Sequence, residues 1–191
     1  LEVYDRAMAQ ESPAAFADMV RKTAEYMAVQ RDKIERALEL QCSQILQTGI
    51  VLLKNGDNID YKRKAASMVD VNVAGDYWTA AGGDPIADIT AACEFLRTTG
   101  KYSGGTINMI AGSKALNALI NNDKFQKISD LKTVSLTEIN PGQRNSEGAT
   151  VYGKITAGSW DVRIWTYPGF YETNAGVMTP FIDPENVVLI P

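Results

Sequence analysis

The chain has 191 residues, 45% of them apolar, and a formal net charge of −4, so it can bury a core beneath a mildly acidic surface. Such a chain without a basic stripe is a poor candidate for a tight, non-specific DNA binder. It has no histidine, which excludes Ser-His-Asp and Cys-His catalysis, histidine zinc sites and the two-histidine iron site. The two cysteines, Cys42 and Cys93, are too few for a disulfide framework and predict small buried hydrophobes in a reducing compartment.

The sequence carries no sign of secretion or membrane insertion. It contains no Asn-x-Ser/Thr sequon and no apolar run of about 18 residues. The chain begins at Leu1 rather than at a methionine and ends just after an apolar strand pattern. We therefore expect it to be part of a longer chain.

A helical pattern runs without a break through residues 13–48. Ser12 and Pro13 suit the start of a helix, and Gly49 suits its end. Apolar residues recur about every 3.6 residues, as they do in a one-sided amphipathic helix, although Arg31 interrupts them. This apolar stripe comprises Phe16, Val20, Ala24, Met27, Ile34, Leu38 and Ile45, with Met19, Cys42 and Leu46 beside it.

The predicted helix is long for a chain of this size. At 1.5 Å per residue it would measure roughly 50 Å, whereas a compact globule of this length is about 40 Å across. We therefore expect an elongated molecule. We also expect the apolar stripe to be buried, so that Asp in place of Ile34 or Leu38 unfolds the protein.

Two charged surfaces are candidates for contacts between subunits. The polar face of the helix mixes both signs, which suits solvent exposure or salt bridges to another copy, and its candidate residues are Glu35, Arg36 and Glu39. The second surface is the basic triplet Lys62, Arg63 and Lys64. Such a triplet is usually a solvated surface, but it could also contact DNA or an acidic neighbour.

The middle of the chain alternates short strands and helices. An apolar run at residues 50–53 precedes the turn signal Asn55-Gly56-Asp57-Asn58. Residues 68–73 alternate apolar and polar side chains, which predicts a half-buried strand. Asp84 and Pro85 open a second helix that ends at Gly100.

The rest of the chain predicts one more helix and a mostly antiparallel sheet. Ser113 caps the predicted third helix. Residues 130–148 are polar, contain Asn140-Pro141-Gly142 and predict an exposed excursion. Together with the long helix, this pattern indicates an α+β fold. The predicted strands are residues 107–111, 150–155, 160–167, 177–182 and 187–190.

None of the candidate chemical motifs assembles into an active site. The glycine-rich residues 100–106 lack the GxxxxGK[ST] order and predict a loop that joins a helix to a strand. Asp84 and Asp88 could share a metal, but acidic residues in the first turn of a helix usually favour its dipole. Aromatic residues 160–171 could line a ligand groove, but on an alternating strand they favour a core. We assign no catalytic, cofactor-binding or metal-binding residue.

Short motifs follow one another in the order Leu46-Gln47-Thr48-Gly49, Asn55-Gly56-Asp57, the helix at 84–96, the strand at 106–111, Ser113-Lys114-Ala115-Leu116-Asn117-Ala118-Leu119, Asn122-Asp123, Tyr152-Gly153-Lys154, Trp160-Asp161-Val162-Arg163-Ile164-Trp165-Thr166-Tyr167 and Asn186-Val187-Val188-Leu189-Ile190. This order resembles that of tailed-phage major capsid proteins, where a long spine helix precedes a turn. It is most similar to the lambda-type branch, the phage major capsid protein E family, over nearly the whole chain.

The resemblance implies the Hong Kong 97-type capsid fold. Residues 1–66 would then hold the spine helix and part of the peripheral domain, and residues 67–191 would form the axial domain. Members of the family also have an N-terminal arm, an extended loop and a C-terminal return to the peripheral sheet. We recognise none of these three parts in this chain.

The resemblance also implies a function. The chain would be a structural subunit of an icosahedral phage or prophage head, without cofactors, that self-assembles into hexamers and pentamers and encloses DNA without reading its sequence. Decoration, portal, scaffolding or protease proteins would be its partners. The subunit itself would be found in the virion head and, before assembly, in the host cytoplasm. The alternatives are another shell or virion protein on the same fold and an α+β enzyme that uses Asp84, Asp88 or Asp183.

Overall fold

The computed structural model describes residues 13–129, 137–144, 148–173 and 175–191. Its first element is the helix α1, Pro13–Gln47, whose 35 residues confirm the predicted long helix. The chain divides into two compact units, Leu1–Cys42 and Ser43–Pro191, so the division falls inside α1.

In the first unit, the part of α1 that ends at Cys42 has no buried residue among the side chains that the structure describes. Ile34 is 61% exposed and Leu38 is 55% exposed. The prediction that the apolar stripe is buried within the chain is therefore wrong for these residues, because no described residue of the first unit covers them. Cys42 is also exposed, whereas Cys93 is buried as predicted.

The second unit continues α1 to Gln47 and contains the remaining elements. Two short 3-10 helices, Ala65–Ser67 and Ala74–Asp76, lie between residues 60 and 85. The elements are β1 (Ile50–Leu52), β2 (Asn58–Asp60), α2 (Pro85–Thr98), β3 (Thr106–Ala111), α3 (Ser113–Asn121), α4 (Asp123–Ser129), β4 (Thr137–Arg144), β5 (Thr150–Ala157), β6 (Trp160–Thr166), β7 (Phe170–Glu172), β8 (Met178–Pro180) and β9 (Val187–Ile190).

The main sheet has five strands in the order β4-β5-β6-β3-β9. The β3 and β6 strands are parallel, whereas the other neighbouring pairs in this sheet are antiparallel. Two hairpins, β1–β2 and β7–β8, form separate two-stranded sheets. The structure therefore confirms an α+β fold with a mixed, mostly antiparallel sheet.

The hydrophobic core lies between the main sheet and the three shorter helices. Alternate residues of β3, β5 and β6 are buried, as expected for strands with one face on a core. The α3 helix buries Ala115, Leu116 and Leu119, which share one face at helical spacing. Phe125 of α4 completes the same cluster.

The cap of α3 differs from the prediction. Gly112, not Ser113, occupies the N-cap position, and no side chain caps the helix there. The backbone N–H of Ala115 donates instead to the carbonyl oxygen of Pro184, at 2.9 Å. A side-chain cap is unnecessary because a distant part of the chain already satisfies this N–H.

Two other predictions from the sequence are wrong. Residues 68–73 form no strand, because no neighbouring strand pairs with them in the described chain. Part of the predicted excursion is the strand β4, whose register with β5 shifts between Ile139 and Gln143. Asn140-Pro141-Gly142 lies at that shift, where a proline that cannot donate a hydrogen bond is tolerated. Residues 130–136 and 145–147 lie outside the described residues, and β7 was not anticipated.

We expect Gly112→Ala to lower the free energy of unfolding by about 1–3 kcal/mol or more, because the added Cβ overpacks a crowded backbone. That Cβ would overlap the carbonyl oxygens of Asp183 and Pro184 and lie 2.6 Å from the Pro184 carbonyl carbon. Gly105→Ala is the matched control, since a Cβ there meets nothing within 4 Å. Urea unfolding of both variants checks the difference, and equal stabilities would contradict it.

Candidate assembly surfaces

The charged face of α1 is held together by ion pairs within the helix itself. Arg21 lies 2.7 Å from Asp18 and 3.1 Å from Glu25, and Arg31 lies 2.8 Å from Glu35. Exposed pairs at these spacings contribute little to stability, because water and salt screen their charges. They leave the side chains accessible to a neighbouring molecule.

The candidates Glu35 and Arg36 are adjacent in α1, and Glu39 lies about one turn later, all within the first unit. Glu35 is paired with Arg31, and Arg36 is exposed. Partial burial raises the pKa of the Glu39 carboxyl, and the nearby charge of Arg36 opposes that rise. The three residues therefore form a mixed-sign surface, not a charged patch of one sign.

The basic triplet separates into residues with different roles. The Arg63 guanidinium is half-buried and donates hydrogen bonds to the carbonyl oxygen of Leu46 and to Ser67 Oγ, the latter at 2.9 Å. Because Leu46 lies in the last turn of α1, Arg63 satisfies one of the carbonyl groups that a helix end leaves unpaired. Lys62 and Lys64 remain exposed, and the Lys62 Nζ lies 3.4 Å from an Asp60 carboxylate oxygen.

The three carboxylates of the enzyme alternative have structural partners. Asp84 accepts a hydrogen bond from the Ala87 N–H at 3.1 Å and caps α2, which lowers the pKa of its carboxyl, with Lys124 contributing. Asp88 accepts from Trp78 Nε1 at 2.8 Å. Asp183 accepts from the Glu185 N–H at 2.9 Å. Within the described residues, no three acidic or cysteine side chains are grouped to hold a metal ion.

The aromatic residues of the last third are divided between the core and smaller contacts. Trp160 is buried in the main cluster, as the core interpretation predicts. Tyr167 and Tyr171 pack against Phe181 with ring centroids 6.1 and 5.3 Å apart, and Phe170 is exposed.

One exposed surface was missed by sequence reasoning. Residues 68–77 are all exposed, and Val69 is 83% exposed although it belongs to an alternating apolar pattern. The β1–β2 hairpin exposes Leu52 and Ile59, and Tyr61, which follows it in the chain, is exposed as well. The signal was the strand pattern itself, which predicts the conformation but does not say which molecule supplies the partner.

Comparison with known proteins places the chain among the structural proteins of phage capsids. The sequence profile described as phage major capsid protein E matches residues 3–191. The chain therefore belongs to the phage major capsid protein E family, which is a family of structural proteins and not of enzymes. A comparison with curated proteins finds no match.

One solved structure supports the same fold. A protein assigned as the capsid protein of a prophage of E. coli CFT073 aligns with a TM-score of 0.65 and 20% identity, over 93% of this chain and 52% of that one. A phage-related protein of Bordetella bronchiseptica RB50 aligns with a TM-score of 0.46 and 15% identity, over 93% of this chain and 47% of that one. The chain spans about half the length of these structures.

The first alignment and the element order show a phage capsid fold, as the sequence resemblance implied. Among the helices that the structure describes, none has the combined length and apolarity needed to cross a membrane.

Proposed function

We propose that the chain is a structural subunit of the icosahedral head of a tailed phage or prophage, in which its copies form hexamers and pentamers around DNA. The observation that carries this proposal is the part of α1 that lies in the first unit, a long stretch of helix whose apolar side chains are exposed. An isolated helix in water is marginally stable, and most helical stability in proteins comes from packing an apolar face. Assembly supplies that packing in a protein of a capsid family.

We further propose which parts of the chain serve the shell. Residues 1–66 hold the spine helix and part of the peripheral domain, and residues 67–191 form the axial domain. The Glu35, Arg36 and Glu39 surface, the apolar stripe of α1 and the Lys62, Arg63 and Lys64 segment contact neighbouring subunits. Within the segment, the exposed Lys62 and Lys64 reach the neighbour, while Arg63 holds the segment against the end of α1.

The other partners follow from the same role. Decoration, portal, scaffolding and protease proteins are expected to act on the shell, which assembles in the host cytoplasm and then forms the virion head. The net charge of −4 suits a shell that encloses DNA without gripping it tightly or reading its sequence.

Electron microscopy of the product of the complete open reading frame tests the proposal. The protein is expressed alone and together with the products of its neighbouring genes. We expect closed shells of uniform size, or rings of five and six subunits. A small, monodisperse particle under every condition would contradict the proposal.

The same microscopy tests the basic segment. Lys62→Glu/Lys64→Glu is expected to reduce the number of shells or rings, whereas the control Lys101→Glu/Lys127→Glu, which changes the net charge equally, is not.

A further inference from the structure

Segment 68–73 has the residue pattern of a strand but pairs with no strand among the residues that the structure describes. Met68 and Val73, the end residues of the segment, cap the 3-10 helices on either side and have extended backbone conformations. Val69, Val71 and Val73 alternate with Asp70 and Asn72, and all of them are exposed. No backbone N–H from Val69 to Val73 donates a hydrogen bond to any residue that the structure describes. An exposed row of unpaired backbone groups is a template for pairing with another chain.

The β1–β2 hairpin offers an open strand edge in the same unit. The Tyr61 N–H donates to the Gly49 carbonyl, and the Leu53 N–H donates to the Asp57 carbonyl, each at 2.9 Å. In an antiparallel pair the hydrogen-bonded residues alternate along each strand. The backbone groups of Asn58, which lies between these bonded positions, therefore point away from β1, as do those of Asp60.

The two edges of the hairpin differ. The outer edge of β1 is occupied, because the Leu52 N–H donates to Gln44 Oε1 at 3.1 Å and the Ile50 N–H donates to Thr48 Oγ1 at 3.2 Å. The outer edge of β2 has no such partner within the described residues, and all three residues of β2 are exposed. A two-stranded sheet is only marginally stable, so a third strand would stabilise it.

We propose that segment 68–73 of one copy pairs antiparallel with the outer edge of β2 of a second copy, with Asn72 opposite Asp60 and Val73 opposite Ile59. The inference rests on the proposed function, because it requires copies of the chain to assemble. In this register Asn72 faces the outward backbone groups of Asp60, so these two residues exchange backbone hydrogen bonds, while alternate residues of the segment point away from β2.

Charge complementarity selects this register. It brings Asp70 opposite Lys62, whose side chain is 86% exposed, and Val71 opposite Tyr61. Opposite charges and apolar pairs across neighbouring strands are stabilising, whereas like charges are not. Shifting the register by two residues in one direction would place Asp70 opposite Asp60. In the other direction β2 would lie opposite residues 74–76, which form a 3-10 helix and not an extended segment. A parallel arrangement would place Asp70 beside Asn58.

The surfaces that surround the two strands carry opposite charge as well. Segment 68–73 borders a cleft lined by Asp70, Asp76, Asp84 and Asp88, of which Asp84 is paired with Lys124. Around the hairpin strands, Lys54, Lys62 and Lys64 outnumber Asp57 and Asp60. Because one copy presents its segment and the next presents its hairpin, the contact is heterologous. Contacts of this kind close into rings or extend as filaments, which suits a subunit of five- and six-membered rings.

Disulfide trapping tests the pairing. The chain carries Ile59→Cys and Val73→Cys, with Cys42→Ser to remove the exposed native thiol. Facing residues in a non-hydrogen-bonded antiparallel pair are about 4.5 Å apart at Cα, which is within the range of a disulfide. Burial raises the pKa of the remaining Cys93 thiol to about 11, so this thiol stays protonated. The protein is oxidised in air with copper phenanthroline and separated on a non-reducing denaturing gel.

We expect a ladder of cross-linked dimers and larger species. The cross-linked fraction should be at least about tenfold larger than in the mismatched control Ile59→Cys/Asn72→Cys, because the side chain at position 72 faces the opposite side of the strand. Equal cross-linking in both variants would overturn the inference. So would a disulfide that closes within one chain, which would change the mobility of the monomer without forming a ladder.

A charge exchange gives a second readout. Lys62→Asp is expected to weaken assembly, and adding Asp70→Lys to the same chain is expected to restore it; weakening without restoration would contradict the pairing. Asp suits position 62, because its backbone is left-handed, with φ of 55°. Native shells or rings without the cross-linked ladder would contradict only this inference. If the native chain stays monomeric and the double-cysteine variant gives no ladder, the proposed function is contradicted too.

Discussion

Phe125→Ala is expected to lower the free energy of unfolding by about 3–5 kcal/mol, the usual cost of removing a large buried aromatic side chain. Phe125 is 2% exposed and packs into the cluster formed by α2, α3 and the main sheet. Its loss removes apolar contacts and leaves a cavity that the surrounding strands cannot fill. At about 2–4 °C per kcal/mol, the melting temperature should fall by roughly 6–20 °C.

The matched control is Phe170→Ala, the same change at a side chain that is 52% exposed. It should cost less than about 1 kcal/mol, because the aromatic ring is already half in water. Urea unfolding followed by circular dichroism measures both variants. Equal losses of stability would mean that Phe125 is not a centre of the core.

Most elements of this fold could be predicted because local rules determine them. The α2 helix begins with a capping Asp84 and a Pro85 in its first turn, and the β1–β2 hairpin turns at Asn55-Gly56, where Gly56 has φ of 92°. The helix α1 has the correct period and ends just before the predicted Gly49, whereas its predicted cap Ser12 lies outside the described residues. In each case the information lies within a few neighbouring residues.

The remaining features depend on contacts that are distant in sequence. Gly112 replaces Ser113 as the cap because Pro184 supplies a carbonyl oxygen from the far end of the chain. Residues 68–73 alternate as a strand should, but the pattern does not show whether this chain supplies the neighbouring strand. The same limit applies to the apolar stripe of α1. Periodicity identifies an apolar face but not the surface that covers it.

The candidate surfaces show the same division. A basic triplet in a sequence has three similar side chains, but only in the structure does Arg63 turn to the end of α1 while Lys62 and Lys64 stay exposed. The role of Arg63 could not be predicted, because the carbonyl it satisfies lies 17 positions earlier in the chain. The position of Asp84 and Asp88 at the start of a helix could be anticipated, because acidic residues commonly occupy the first turn. The hydrogen bond from Trp78 to Asp88 could not, because it depends on a residue ten positions earlier.

Ile34→Asp is expected to abolish assembly while leaving the chain folded. Ile34 is 61% exposed, so the change removes no core contact and should alter the free energy of unfolding by at most about 0.5 kcal/mol. In the assembled shell we propose that the apolar stripe is covered by neighbouring subunits, where an unpaired carboxylate is costly to bury. Circular dichroism should therefore match that of the unmodified chain, while electron microscopy shows no shells or rings.

Val29→Asp is the matched control, because Val29 is an exposed aliphatic residue of the same helix that lies outside the apolar stripe. It introduces the same charge and should assemble as the unmodified chain does. If Ile34→Asp unfolds the protein, the stripe is packed within the chain after all. If Ile34→Asp and Val29→Asp assemble equally well, the stripe is not a contact between subunits, and the stability of α1 must have another source.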